Sequence, residues 1–226
     1  MCPKNKIAKF EESKTFPNMI QLDYHTLVSE GCSLKGVWRE KMFFNDHPLV
    51  LELGCGKGEY TVGLAARYPE KNFIGVDLKG ARMWRGCKTA HDQKLKNVAF
   101  VRTKIEMLTY FFAPHEVDEI WITFPDPQPK KSWAKRRLTS KRFLGIYKIC
   151  LKEGGVIHLK TDDKEFYDFT LETIEEEGHH LIYHTNDIYD SGFEGDVMGI
   201  VTFYEKMWLK EKKKINYLEF SLNYEG

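Results

Sequence analysis

Apolar residues along this chain fall in short runs, with glycine-rich or charged stretches between them. "LVLEL" (49–53), "FIGVD" (73–77), "VAFVR" (98–102), "EIWITF" (119–124), "GGVIHLKT" (154–161), "HLIYHT" (180–185) and "INYLEFSL" (215–222) each read as a strand. Between them the spacing changes to that of helices: from the glycine-rich "GCGKG" through about Tyr68, around 81–92, over 139–151, over 163–177, and along "TFYEKMWLKEKKK" (202–214). Strands alternating with helical stretches of about 10–15 residues build βαβ units on a parallel sheet. The expected fold class is therefore α/β, a doubly wound and mostly parallel sheet with helices on both faces. Residues 1–46 lack this regularity, and Pro17 and Gly31 interrupt any long helix there. They are expected to form an irregular, loosely attached N-terminal extension ahead of one domain at 47–226.

In an open α/β sheet, ligands bind beyond the carboxyl ends of the strands. Glu52 and Gly54 fall at the end of the first of these strands, Asp77 at the second, Asp126 after the fourth and Asp162 after the fifth. In "LELGCGKGEY", Gly54 and Gly56 allow a tight turn and close approach of a ligand, and Gly58 allows close packing where the helix begins. The spacing G-x-G-x-G differs from the dinucleotide fingerprint G-x-G-x-x-G, which disfavours a nicotinamide dehydrogenase. It resembles motif I of the S-adenosylmethionine methyltransferases, a resemblance that implies Glu52 facing the cofactor's cationic methionine end. Asp77, 23 positions after Gly54, suits a carboxylate that takes the ribose hydroxyls of a nucleoside cofactor. The competing reading is a plain glycine turn with Asp77 capping the next helix.

Charge changes the picture after the fourth strand. The net charge of +1 averages opposing patches: Asp163 to Glu177 carries seven acids against one Lys, whereas Lys130 to Arg142 carries seven Lys or Arg and no acid. In "ITFPDPQPKKSWAKRR" the prolines on either side of Asp126 stiffen the turn and keep it out of a helix. The cations that follow have the density that contacts to a nucleic-acid backbone require, and Trp133 among them can stack on a base. A solvated basic face is the bland alternative.

Composition excludes several classes. Five scattered cysteines without a C-x-x-C pair argue for reduced thiols and a cytoplasmic protein. No apolar run approaches the length of a membrane span, and the N-terminus lacks the apolar region of a signal peptide. The sequence contains no Walker motif, nucleophile elbow or metal-ligand cluster.

With motif I and the loop in view, "TFPDPQPKKSWAKRRL" resembles the F-x-D-P-W-P-K-K-x-H-x-K-R-R-L signature of the bacterial tRNA (guanine-N7)-methyltransferases. "TDD" at 161–163 and "TFYE" at 202–205 follow in that family's order, so the resemblance spans about residues 50–222. It implies a Rossmann-like class I methyltransferase fold, S-adenosylmethionine as cofactor, tRNA as partner, and methyl transfer to N7 of a variable-loop guanine (guanine 46). Glu52, Asp77 and the Gly54–Gly56–Gly58 cradle would hold the cofactor, and Asp126 would serve both cofactor binding and catalysis. Lys130, Asp162 and the stretch Thr202, Phe203, Tyr204 and Glu205 match substrate-contacting positions. The loop cations Lys131, Lys135, Arg136 and Arg137 would join them on the tRNA backbone. Three positions depart from the pattern: Gln128 replaces the signature's tryptophan, Trp133 its histidine, and Lys104 an acidic or amide residue on the cofactor side, where Glu106 is the alternative carboxylate.

Some residues also have ordinary structural readings. Thr202 and Glu205 spell a capping box, Asp162 and Asp163 are good N-caps, and "FYDF" (166–169) has core spacing. The rival functions are a methyltransferase for a small molecule or another nucleic acid, and a non-catalytic RNA-binding protein on the same fold. The sequence leaves monomer and homodimer both open.

Overall fold

The computed structural model describes residues 3–225. Eight strands form one sheet: β1 (Met19–Ile20), β2 (Leu49–Leu53), β3 (Asn72–Asp77), β4 (Val98–Arg102), β5 (Val117–Thr123), β6 (Leu151–Thr161), β7 (His180–Thr185) and β8 (Asn216–Ser221). Their order is β1-β4-β3-β2-β5-β6-β8-β7. All pairs are parallel except those made by β8, which runs antiparallel to both β6 and β7. The order reverses between β2 and β5, and that switch point opens the crevice where an α/β sheet takes its ligands.

The helices are α1 (Pro3–Ser13), α2 (Tyr24–Glu30), α3 (Glu59–Arg67), α4 (Gly80–Asp92), α5 (Leu108–Phe111), α6 (Lys141–Cys150), α7 (Lys164–Glu176) and α8 (Phe203–Lys210). They cover both faces because both faces of the central strands are apolar. Leu49, Leu51 and Leu53 of β2 face a core built with α5, α6 and α7, whereas Val50 faces a second core with α3 and α4. All five residues of β2 are buried, as expected for a central parallel strand. Among the described residues, no helix is long and apolar enough to cross a membrane.

Residues 1–46 differ from the irregular, loosely attached extension expected of them. β1 pairs with β4 in parallel, and α1 packs on α4. Trp38 is fully buried, stacks on Phe112 at 5.5 Å and donates from Nε1 to the Phe111 carbonyl at 2.8 Å. Arg39 pairs with Asp118 of β5, and the Gly36 amide donates to Glu116 just before that strand. A short strand, a few buried apolar side chains (Met19, Leu27, Trp38 and Phe43) and scattered polar contacts anchor this segment, a pattern with no period for a sequence to show.

Candidate active site

The crevice at the switch point is a cleft of about 310 Å³. One wall is the β2–α3 turn, held by hydrogen bonds to the neighbouring strand. Gly54, Gly56 and Gly58 all have left-handed backbone, with φ of 76°, 55° and 69°, which glycine adopts at little cost. The Gly54 and Cys55 amides both donate to the Val76 carbonyl, at 2.8 and 3.1 Å. Asp77 pins the turn from the neighbouring strand: its Oδ2 accepts from the Gly56 amide at 2.9 Å and its Oδ1 from the Lys79 amide at 2.7 Å. A Cβ on Gly58 would lie 2.5 Å from the Phe100 ring and 3.2 Å from Gly86 Cα, so Gly58 serves helix-on-sheet packing. Over Gly54 and Gly56 a Cβ would find nothing closer than 3.8 and 4.0 Å, leaving room for a ligand to approach the backbone.

Glu52 projects from β2 into the floor of this cleft and is buried. Its carboxylate accepts from the Thr61 amide at 2.8 Å, from the Thr61 hydroxyl, and from Thr123 Oγ1 at 2.6 Å. Desolvation outweighs these bonds and pushes its pKa up to about 7, with Asp77 adding repulsion. No cationic side chain pairs with Glu52 among the described residues. A buried, unpaired acid beside Asp77 and an open glycine turn suits a ligand with a cationic end and hydroxyl groups, and S-adenosylmethionine has both.

The opposite wall is the loop after β5. Phe124 and Gln128, on either side of Pro125-Asp126-Pro127, have φ of 46° and 51°. Left-handed backbone in a non-glycine residue costs roughly 1–3 kcal/mol and persists only where the surroundings impose it. The Phe124 amide donates to the Lys160 carbonyl at 2.8 Å, and the Gln128 amide to Asp126 Oδ1 at 3.1 Å. Asp126 is exposed at the cleft, with Gln128, Arg136 and Leu138 beside it. Trp133 sits between two cations, Lys130 Nζ at 4.7 Å and the Arg136 guanidinium at 5.1 Å from its ring. Lys130, Lys131, Lys135 and Arg136 are exposed and form no ion pair among the described residues.

Not every residue singled out in the sequence joins this cleft. Arg137 is turned away from solvent: it donates to Glu165 at 2.8 Å and to the Pro127 carbonyl at 3.1 Å, and packs on Phe169. It therefore braces the loop from inside and does not extend the exposed cationic surface. Lys104 and Glu106 lie outside the lining, and Glu106 turns toward Arg142 at 3.5 Å. The Thr103 amide, just past the end of β4, donates to the Asp77 carbonyl at 3.1 Å, and Lys104 and Glu106 beyond it are exposed. Asp162 also lies outside, 3.7 Å from Lys213, with its pKa raised by burial. Asp163 caps α7, accepting from the Phe166 amide at 2.7 Å.

At α8, Thr202 and Tyr204 line the cleft and Phe203 lies against Lys57, whose Nζ is 4.3 Å from its ring. The capping box is real: Thr202 and Glu205 exchange side-chain and amide hydrogen bonds. Glu205 itself is fully buried and pairs with Lys160, so it does not reach the cleft.

The lining also includes Tyr60, Lys79, Arg82 and Thr123, none singled out by the sequence reading. Lys79 and Arg82 left a signal: cations at the start of α4 oppose the helix dipole and need another reason to be there. Thr123 left none, since a threonine ending a strand is unremarkable.

A family model described as "Putative methyltransferase" matches residues 46–218. The tRNA (guanine-N(7)-)-methyltransferase of Christiangramia forsetii is 52% identical over 98% of this chain and 100% of its own length. The enzyme of the same name from Bacteroides fragilis is 47% identical over 99% of this chain and 88% of its own. Among solved structures, the 16S rRNA methyltransferase KamB superposes with a TM-score of 0.62 at 15% identity, covering 81% of this chain and 92% of its own; this likeness concerns the fold. Matched along nearly its whole length at such identity, the chain belongs to the tRNA (guanine-N7)-methyltransferase family.

Proposed function

We propose that this chain transfers a methyl group from S-adenosylmethionine to N7 of guanine 46 in the variable loop of tRNA, the two walls of its cleft dividing the work. The chemistry is assigned to residues 47–226, with 1–46 as an extension that supports the sheet edge. The observation that carries the reading is the meeting, in one cleft, of Glu52, Asp77 and the open glycine turn with Asp126 and Arg136 of the basic loop.

Bound S-adenosylmethionine supplies an electrophilic methyl group on a cationic sulfur. Glu52 and Asp77 hold the charged and hydroxylated parts of that ligand, and Gly54 and Gly56 let it lie close to the backbone. Guanine N7 has a free lone pair and no proton, so the chain needs no general base; positioning supplies most of the help. Positive charge grows on the purine as the bond forms, and the Asp126 carboxylate, held by the Gln128 amide, stabilises it. Asp126 also accepts hydrogen bonds from the base's N1 and exocyclic amine protons. Lys130, Lys131, Lys135 and Arg136 hold the phosphate backbone, and Tyr204 and Thr202 close the cleft against the base. N7 is hard to reach within an A-form helix, so the target guanine must be presented by tertiary structure or released from it.

The test is to incubate the protein with unmodified tRNA transcript and methyl-labelled S-adenosylmethionine, then cleave with borohydride and aniline, which report 7-methylguanine. Cleavage at guanine 46 is expected; label without cleavage, or cleavage elsewhere, would overturn the assignment.

A further inference from the structure

Lys160 is the residue before the last of β6 and is completely buried. A lysine side chain in that position needs a carboxylate, and Glu205 Oε1 lies 2.5 Å from its Nζ. Glu205 is itself fully buried, accepts from the Tyr189 hydroxyl at 2.7 Å, and closes the first turn of α8 with Thr202. The rings of Tyr60, Tyr189 and Phe124 stand 5.8, 5.9 and 6.0 Å from the ammonium. The main chain of the same residue reaches the neighbouring loop: the Lys160 carbonyl accepts from the amide of Phe124, the left-handed residue that opens the Asp126 loop.

One residue thus connects two cleft walls that are remote in sequence. A capping box alone would terminate α8 without any lysine. Replacing a buried ion pair by well-packed apolar side chains is often neutral or stabilising, so the pair is weak evidence for stability and stronger evidence for a fixed geometry. We propose that Lys160 is a positioning residue for methyl transfer: through Glu205 it fixes the wall bearing Thr202 and Tyr204, and through its carbonyl the loop bearing Asp126, so that the target base is seated between them. The role rests on the guanine-N7 reading above. It gives Glu205 the part of an internal anchor that acts through Tyr204 and not by touching the base.

The experiment compares wild type, Lys160→Met and the double variant Lys160→Met/Glu205→Gln, which removes the unpaired charge yet keeps an amide able to cap Thr202. Thermal unfolding, S-adenosylmethionine affinity by calorimetry, and kcat on tRNA transcript are measured for each. Lys160→Met is expected to lose both stability and rate. The double variant is expected to regain the wild-type Tm and bind the cofactor within about twofold of wild type, while kcat stays at least about tenfold down, as for a misplaced but intact site. Recovery of kcat together with Tm would show that the pair serves stability alone and would overturn the proposal. If the double variant does not fold, Tyr189→Phe carries the test: it removes one donor to Glu205 at constant shape, and an unchanged kcat in that folded variant would equally overturn it. The wild-type control separates the two inferences. No 7-methylguanine from wild type sinks the functional reading, whereas a fully active double variant sinks only the role of Lys160.

Discussion

The two walls of the cleft are built on opposite principles. The β2–α3 wall is partly buried and held by internal hydrogen bonds, with Glu52 buried against Thr61 and Thr123, and half-buried Asp77 held by the Gly56 and Lys79 amides. The β5–α6 wall is exposed, stiffened by two prolines and strained backbone, and carries Lys130, Lys131, Lys135 and Arg136, which have no carboxylate partner among the described residues. A small ligand is best met by preformed hydrogen bonds in low dielectric, where each is worth more. A polyanion is best met by mobile charge in water, where attraction is long-ranged and sensitive to salt. The difference teaches that one cleft can meet a small ligand with fixed hydrogen bonds and a polyanion with exposed charge.

The sharpest break in that comparison is at Asp126, the one carboxylate the exposed wall sends into the cleft. Asp126→Ala is expected to lower kcat about 10²–10³-fold, the usual loss when a group stabilising developing charge is removed. Its Tm should change little, because among the described residues only the Gln128 amide bonds to that side chain; cofactor affinity measured beside kcat separates its two roles, and a fall as large as that in kcat would place Asp126 with the other wall. Gly58→Ala tests the buried wall. Overpacking against Phe100 and left-handed strain together predict a loss of roughly 2–4 kcal/mol in urea unfolding. Gly56→Ala has open space and should cost only about 1–2 kcal/mol of strain, its main effect being weaker cofactor binding.

Removing the four cations Lys130, Lys131, Lys135 and Arg136 should weaken tRNA binding by about 10² at low salt and flatten the salt dependence by roughly 0.7–0.9 in log–log slope per lost phosphate contact. Arg137 is excluded from that set, since its buried guanidinium braces the loop. A slope unchanged by the four substitutions would mean that the RNA lies elsewhere.

The smallest effect expected is one of pH. Glu52 has a folded-state pKa near 7 against 4.5 unfolded. Because it is raised, its contribution to stability is full below about pH 4.5 and is lost as pH rises through 7. A cationic ligand beside it favours the ionised form, so cofactor binding should tighten with rising pH below about 7, by at most about tenfold per unit, with proton release. Glu52→Gln should abolish that dependence in calorimetry at two pH values; a persistent slope would assign the proton to another group. Glu119, on the neighbouring strand, shows the contrast. His158 and Lys71 outweigh its burial and hold its pKa at about 2, so the partners present, and not burial alone, decide the sign.

Much of this molecule is legible without coordinates. Seven of the eight strands stand within a few residues of the apolar runs that predict them, because a central parallel strand must be apolar on both faces and its pattern is local. The glycine turn, Asp77 and the proline-flanked Asp126 are equally local, each a strand end with a conformational demand that few residue types meet. The family resemblance added roles to those positions. Its two alternatives on the cofactor side, Lys104 and Glu106, stand outside the cleft lining, and Trp133, a departure from its pattern, gathers two cations on its ring.

The sequence by itself determined the succession of strands β2 to β8 and of the longer helices between them, the strand-end acids and the presence of a basic loop, since periodicity and turn chemistry act between near neighbours. Tertiary structure alone decided which cations stay free and which turn inward, as Arg137 does, and it alone brought Thr123 onto Glu52 and Glu205 onto Lys160 across 71 and 45 positions of chain. Those choices rest on burial and charge pairing between distant segments, and desolvation has no value until the fold defines what is inside.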